Sequence, residues 1–373
     1  MALRRIASLA LLVGLSAQVH AGDSPPALDE KLPSNWIKSV ETRFWTGYKD
    51  NILLSNWNLV ESPLVAGGLD LAFFRLPIDG WEYVFLGTAD YTRYVSAPPK
   101  VDQEATALAQ AQLKRSFGDG WKAGLSGEYI YFNQVFDSST LADQLQALPV
   151  VGQAFTVRPL LTKDLGNGYR LELETPATRQ IFDRFIDDYW DAGPKLTLAR
   201  QFDKKNELSL YYQFTERWND TREARDQQGN LEPGVLLRFA QQEAGTAWRQ
   251  FWGADRSWRT VTKLSLQRNE DNASGYYDYW RPQFSEAVRY QRPGWEVRGE
   301  AKVAYYNYDY ERVGDLTSAR RERTYLRLNL RAEKSLARSL RVFAQYEYER
   351  SFANLDIDSY RVNTVWAGVD WEF

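Results

Sequence analysis

Between residues 115 and 132 the chain reads RSFGDGWKAGLSGEYIYF, and its side chains sort by parity. Ala123, Leu125, Tyr129 and Tyr131 fall on odd positions; Lys122, Ser126 and Glu128 fall on even ones. Successive side chains of an extended strand point to opposite faces, so this alternation predicts a strand with one apolar and one polar face. The pattern recurs. Val297, Ala301, Val303 and Tyr305 oppose Glu296, Arg298, Glu300 and Lys302. Leu326, Leu328 and Leu330 oppose Tyr325, Arg327, Asn329 and Arg331, and Leu208, Leu210, Tyr212 and Phe214 oppose Ser209, Tyr211 and Gln213. Segment 279–291 is less regular, because Glu286 shares the parity of Phe284 and Val288.

Short turn signals punctuate these segments at Asp79-Gly80, Gly118 to Gly120, Gly166 to Gly168, Asp203 to Asn206, Trp258-Arg259, Pro293-Gly294 and Leu336 to Ser339. Gly, Asn and Asp accept the positive φ of tight turns. Longer polar connections, near 49–63, 96–105, 138–152, 177–190, 219–243, 269–278, 312–320 and 352–357, alternate with them. Seven short turns and eight long loops imply sixteen strands. A soluble sandwich has no reason to keep every short turn on one edge, whereas a barrel inserted from one side does. The predicted fold is therefore all-β, a transmembrane antiparallel up-and-down β-barrel, with about 22 residues per strand and link. Two loops carry patterns of their own. In ATRQIFDRFIDDYW, Ile181, Phe182, Phe185 and Ile186 sit at helical spacing and predict a short amphipathic helix. Loop 138–152 is apolar for an exposed tip, which suits packing into the lumen or against a partner.

The N-terminus adds an address. Arg4 and Arg5 precede an apolar run from Ile6 to Leu15, and Val19-His20-Ala21 fits a cleavage site. This predicts a signal peptide over 1–21, a periplasmic segment over 22–35 and the barrel over 36–373. The apolar run is too short to span a bilayer.

Composition narrows the chemistry. The chain has 46 basic and 49 acidic residues, and removing two signal-peptide arginines leaves a net charge of −5, which argues against nucleic acid as a partner. There is no cysteine, hence no disulfide and no thiolate metal site. The 22 Tyr and 14 Trp fit a barrel with aromatic girdles. The one histidine, His20, leaves with the signal peptide, so the mature chain has no imidazole to serve as general base. No Gly-rich phosphate loop or carboxylate motif stands out. No enzymatic activity, cofactor or metal is expected.

Five aromatics, Trp81, Phe117, Trp121, Tyr169 and Trp295, flank the short turns and suit a membrane–water interface. The chain ends VNTVWAGVDWEF, with Val365, Ala367, Val369, Trp371 and Phe373 on one parity. This resembles the closing strand of Gram-negative outer-membrane β-barrel proteins of the porin kind. The resemblance implies a bacterial outer-membrane location and a role for Val369, Trp371 and Phe373 as the signal read by the barrel-assembly machinery. It also implies outer-membrane lipid and lipopolysaccharide as surroundings. YEYERSFANLDIDSYRVNTVWAGVDWEF is similar, more weakly, to the last hairpin of barrels from polysaccharide- and surface-protein-export systems. Those usually carry periplasmic helical repeats, and only about 15 residues lie between the predicted cleavage site and the first strand here.

A sixteen-stranded barrel encloses more space than wall side chains fill. The water-facing parity offers Arg298, Lys302, Arg327, Arg331 and Arg341, interleaved with Glu296, Glu300, Glu333 and Glu347. These candidates either form a charged eyelet or satisfy one another as wall salt bridges, and the second is favoured unless one sign dominates locally. The expected function is a porin-like channel for passive passage of polar or charged small solutes, such as sugars or acidic oligomers. Two alternatives stay open: an export pore for a polysaccharide or surface protein working with periplasmic partners, and a plugged structural barrel.

Overall fold

The computed structural model describes residues 35–99, 101–137, 147–183, 186–314 and 318–373. The predicted signal peptide and most of the following segment lie outside these residues. In chain order the strands are β1 (Trp36–Lys49), β2 (Ser62–Ile78), β3 (Trp81–Tyr94), β4 (Gln103–Ser116), β5 (Trp121–Asp137) and β6 (Ala147–Gly166). Then come β7 (Tyr169–Glu174), β8 (Ala177–Phe182), β9 (Tyr189–Ala192), β10 (Lys195–Gln201), β11 (Asn206–Arg225) and β12 (Leu231–Trp252). The last are β13 (Trp258–Asp271), β14 (Tyr279–Arg292), β15 (Trp295–Arg312), β16 (Arg320–Ser335), β17 (Leu340–Ala353) and β18 (Tyr360–Glu372).

Each strand pairs antiparallel with its neighbours, and β1 pairs with β18 from Glu41↔Glu372 to Lys49↔Thr364, closing the sheet. The eighteen segments make sixteen wall strands, because β7 and β8 both pair with β6, and β9 and β10 both pair with β11. The interruptions fall at Pro176 and Pro194. Proline has no N–H for the ladder, so a central strand breaks there.

Every short turn lies at one end, with both ends of the sheet-forming chain. Asp79-Gly80 (φ 52° and 79°) and Asn167-Gly168 (φ 50° and 79°) carry the two positive φ values a tight hairpin demands. The long loops lie at the other end. The outward face is apolar across the wall: Phe44, Leu69, Leu125, Phe155, Leu210, Leu264, Leu330 and Val365 are all exposed there. In water that surface would be a liability; in a bilayer it is the lipid-facing band.

At the short-turn rim all five predicted interface aromatics point outward, and cations stack on them. The Arg115 guanidinium lies 5.1 Å from the Trp81 ring and 5.3 Å from Phe117. Lys163 lies over Trp121 (4.9 Å), Arg200 over Tyr169 (4.9 Å) and Lys334 over Trp295 (5.0 Å). The Gly-Asp-Gly between Phe117 and Trp121 thus turns the chain at the level where outward rings and cations stack.

The closing seam carries a reciprocal exchange of size. Trp45 of β1 faces Gly368 of β18, and Gly47 faces Trp366. A Cβ on Gly368 would come within 2.6 Å of the Trp45 Cβ, and one on Gly47 within 2.6 Å of the Trp366 Cβ. Two large indoles fit side by side on the inner face only because each stands opposite a bare backbone.

Several boundaries differ from the sequence expectation. The fifth short turn is at Gly253 to Ser257, not Trp258-Arg259, and Trp258 already opens β13. Its Asp255 carboxylate accepts the Ser257 N–H at 3.1 Å. Among the described residues of 177–190 there is no helix: 177–182 and 189–192 are strands, and Arg184 and Phe185 lie outside the described residues. Most of 219–243 is also strand, leaving 226–230 as the connection. Of 138–152, residues 138–146 lie outside the described residues and 147–152 begin β6. The ladder from Gln283 to Arg292 is continuous, so Glu286 faces outward between Thr262 and Ala301.

Candidate functional site: the lumen

Antiparallel register places partners on the same face, and on four consecutive strands it aligns like charges. Arg259 of β13 is opposite Arg289 of β14; Arg289 is opposite Arg298 of β15; Arg298 is opposite Arg331 of β16. Four guanidinium groups therefore form one lateral row on the inner face. Two ladder steps towards the long loops, Lys263, Ser285, Lys302 and Arg327 form a second row. Between them runs Val261, Ala287, Glu300 and Asn329.

Like charges directly opposite each other destabilise a ladder, and carboxylates beside the rows offset part of that cost. Glu296 accepts from Arg289 Nη2 at 2.8 Å and also pairs with Arg298. Glu333 pairs with Arg331 at 2.5 Å, and Asp370 accepts from Arg331 Nη2 at 2.7 Å. Glu347 holds Arg327 at 2.7 Å, and Glu41 pairs with Arg341. Across the lumen Arg43 is held by Asp90 at 2.7 Å and Asp70 at 3.1 Å.

The structure thus brings together on the inner face all nine sequence-predicted pore residues: Arg298, Lys302, Arg327, Arg331, Arg341, Glu296, Glu300, Glu333 and Glu347. Many are engaged in wall salt bridges. The two rows nevertheless hold more cations than the nearby carboxylates match, because Arg259, Arg289 and Lys263 join them. All three were missing from the sequence-based set. A cavity of about 570 Å³ opens here, lined by the first row, by Lys263 and Arg327, and on the far side by Asp70, Thr88 and Trp366. In a lumen walled by low-dielectric protein, such an excess gives a positive potential.

Towards the long loops the lumen turns apolar. Loop 50–61 folds inward, and Ile52 (0% exposed) and Leu54 (2%) pack against inward Leu64, Tyr94, Tyr360 and Val362. The loop is pinned by Asn51, whose Nδ2 donates to the Ser55 and Arg361 carbonyls at 2.8 Å. On the adjoining wall, from β4 onward, Ile186 joins Leu108, Ile130, Phe132, Phe182 and Tyr189. A third cluster sets Tyr277, from loop 272–278, on Leu237 and Phe239. The barrel is therefore charged and hollow in one half, whereas the other is filled by these apolar clusters together with buried ion pairs such as Lys49–Glu104, Arg281–Glu243 and Arg321–Asp358.

Loop 272–278 is braced by Asp278, which accepts the Asp271 N–H at 2.7 Å and Arg268 Nη2 at 3.1 Å. Burial outweighs these contacts and, with the neighbouring Asp271 charge, pushes the Asp278 carboxyl up to about 6. A folded-state value above the unfolded one means that the native loop binds the proton more tightly. Its stability should rise as pH falls from about 7 towards 4. Asp278→Asn should flatten that dependence, read as hydrogen-exchange protection of the Tyr277 amide against pH. A wild-type profile already flat over this range would contradict it.

At the terminus, Val369, Trp371 and Phe373 are exposed on the outward face, with Trp371 and Phe373 rings stacked at 6.2 Å. The Phe373 N–H donates to the Val40 carbonyl at 2.9 Å, so the last residue is tied to the first strand.

No protein-family model matches the chain, and no curated protein matches it in sequence. Solved structures do match in fold. OccAB4 of Acinetobacter baumannii aligns over 90% of this chain and 98% of its own, with a TM-score of 0.51 and 8% identity. OccAB1 of the same organism aligns over 94% and 100%, with a TM-score of 0.48 and 8% identity. OmpT of Vibrio cholerae, an outer-membrane protein, aligns over 92% and 100%, with a TM-score of 0.44 and 11% identity. The architecture is that of bacterial outer-membrane β-barrels.

Proposed function

We propose that this outer-membrane barrel is a channel for passive passage of small polar solutes, and that it prefers anions. The observation that carries the reading is the arginine row Arg259–Arg289–Arg298–Arg331 beside a cavity of about 570 Å³. Pore-lining charge of one sign selects the opposite ion. The fold shared with OccAB4, a closed outer-membrane barrel, suits a conduit. Short turns face the periplasm and long loops face outside, the orientation in which the interface cations meet the inner leaflet.

The test is uptake by liposomes carrying the purified barrel. Glucuronate and galacturonate should enter faster than glucose and galactose of the same size. Equal rates would remove the anion preference and leave a neutral-solute pore. The apolar filling at the long-loop end supports a second reading, a barrel closed in its resting state. No entry of any solute would favour that one.

The C-terminal residues are proposed to serve assembly. Deleting Phe373 removes an outward aromatic and the hydrogen bond to Val40 at the closing strand. The deleted protein should reach the outer membrane several-fold less in a pulse-chase, with precursor accumulating in the periplasm. Normal speed and amount would place the assembly signal elsewhere.

A further inference from the structure

At the long-loop end two outward arginines face each other. Arg350 of β17 and Arg361 of β18 are direct register partners. Arg350 shares its parity with Tyr348 and Phe352, and Arg361 shares its parity with Val365 and Val369, so both project from the lipid-facing side. Like charges so placed repel. Three other outward arginines near this rim hold a carboxylate: Arg93 pairs with Asp102 at 2.8 Å, Arg179 with Asp220 at 2.6 Å and Arg268 with Asp309 at 2.5 Å. Among the described residues, no ion pair to a carboxylate is found for Arg350 or Arg361. The nearby Asp50 carboxylate is taken by the Asn363 backbone and side-chain N–H groups at 2.7 and 2.6 Å. What Arg350 does have is a ring: its guanidinium lies 3.8 Å from the centroid of Phe352, itself 42% exposed.

Their height says what meets them. Arg350 is ten residues along β17 from Leu340 at the short-turn rim, and Arg361 is ten along β18 from Trp371. At about 3.4 Å per residue and a tilt of about 40°, that is a rise of about 26 Å. The apolar band of such barrels is about 25 Å tall. The pair therefore sits where the acyl chains of the outer leaflet end and its phosphates begin. Two planar guanidinium forks side by side match the bidentate geometry of a phosphate, and the exposed Phe352 offers an apolar wall to the chains below it.

We propose that Arg350 and Arg361 clamp a phosphate of the lipid A moiety of lipopolysaccharide. The proposal rests on the orientation given above, with long loops outside, and is independent of whether the lumen conducts. Phe352 packs beside the bound lipid, and the phosphate neutralises the repulsion built into the ladder.

Native mass spectrometry of the detergent-refolded chain lacking residues 1–21 tests it, with four probes: lipid A, lipid A stripped of its phosphates, phosphatidylglycerol and inorganic phosphate. Wild type should retain lipid A, and Arg350→Ser with Arg361→Ser should retain it about tenfold more weakly, the scale of one lost charge-assisted contact. Arg350→Lys with Arg361→Lys, which keeps the charge but loses the fork, should fall between. Stripped lipid A should bind wild type as weakly as intact lipid A binds the Ser variant. Equal retention by wild type and the Ser variant, or of intact and stripped lipid A by wild type, would overturn the clamp. Displacement at equal concentration by phosphatidylglycerol would overturn the assignment to lipopolysaccharide, and displacement by inorganic phosphate would overturn a lipid site altogether. Should the double variant fail to fold, Arg361→Gln alone, at an exposed position, reads the same titration.

Discussion

Replacing residues 52–59 with a short Gly-Ser link is expected to raise single-channel conductance in a planar bilayer at least about threefold, from a low native value. The wall of sixteen strands leaves a lumen wider than its own side chains fill. The charged half of that lumen holds a cavity of about 570 Å³, whereas the other half is packed with apolar side chains. Ile52 and Leu54 have the lowest exposure in their cluster and come from a loop, not from the wall. Removing them therefore opens space without breaking a strand pair. Burying each such side chain contributes about 1.5–3 kcal/mol, so the variant should be less stable yet still show the heat-dependent gel shift of a folded barrel. An unchanged conductance in a folded variant would assign closure to the Ile186 cluster on the adjoining strands.

Reversing the sign of the row should reverse ion preference. Arg259→Glu with Arg289→Glu leaves the row with two carboxylates and two guanidinium groups: the carboxylate at 289 faces Arg298 and can pair with it, and the two carboxylates face each other as the two arginines did before, so the ladder exchanges one like-charge contact for another. In a tenfold salt gradient the wild-type reversal potential should have the sign of an anion-preferring pore, and the variant the opposite sign. A site potential of several kT corresponds to a change in the permeability ratio of about tenfold or more. A reversal potential that does not move would mean that Glu296, Glu333 and Asp370 already neutralise the row, and the anion preference would be lost as an explanation of function.

The barrel was legible because each membrane-crossing strand has one side in lipid and one in water, so parity survives in the sequence. Above the membrane that contrast disappears. The Asn219-to-Arg225 end of β11 has polar residues on both faces and the beginning of β12 carries Pro233 and Gly234, so both look like a loop, although they pair as strands. In 177–190 the residues at helical spacing are divided between strand 177–182 and the stretch before strand 189–192. Phe182 and Tyr189 point inward and Trp190 outward, with Pro176 and Pro194 cutting the wall strands short. The arginine row was hidden for another reason. Each arginine sits in a different strand, and only the offset between strands aligns them. Placing a turn at Trp258-Arg259 removed Arg259 from its strand, and Glu286 obscured the register that aligns Arg289. Loop 50–61 did carry a signal, the apolar run Ile52-Leu53-Leu54 inside a polar connection.

A sheet that closes on itself must choose how far its last strand slides along its first, and that slide determines the tilt of every strand and the bore of the tube. The exchange of Trp45 with Gly368 and of Gly47 with Trp366 makes this choice steric. A slip of two residues keeps each inward side chain facing inward, so parity alone does not forbid it. Such a slip would drive one indole against the other, or leave two glycines facing an empty gap. The seam acts as a two-toothed key whose fit admits one circumference, and the width of the lumen is thereby written into four residues far apart in the chain.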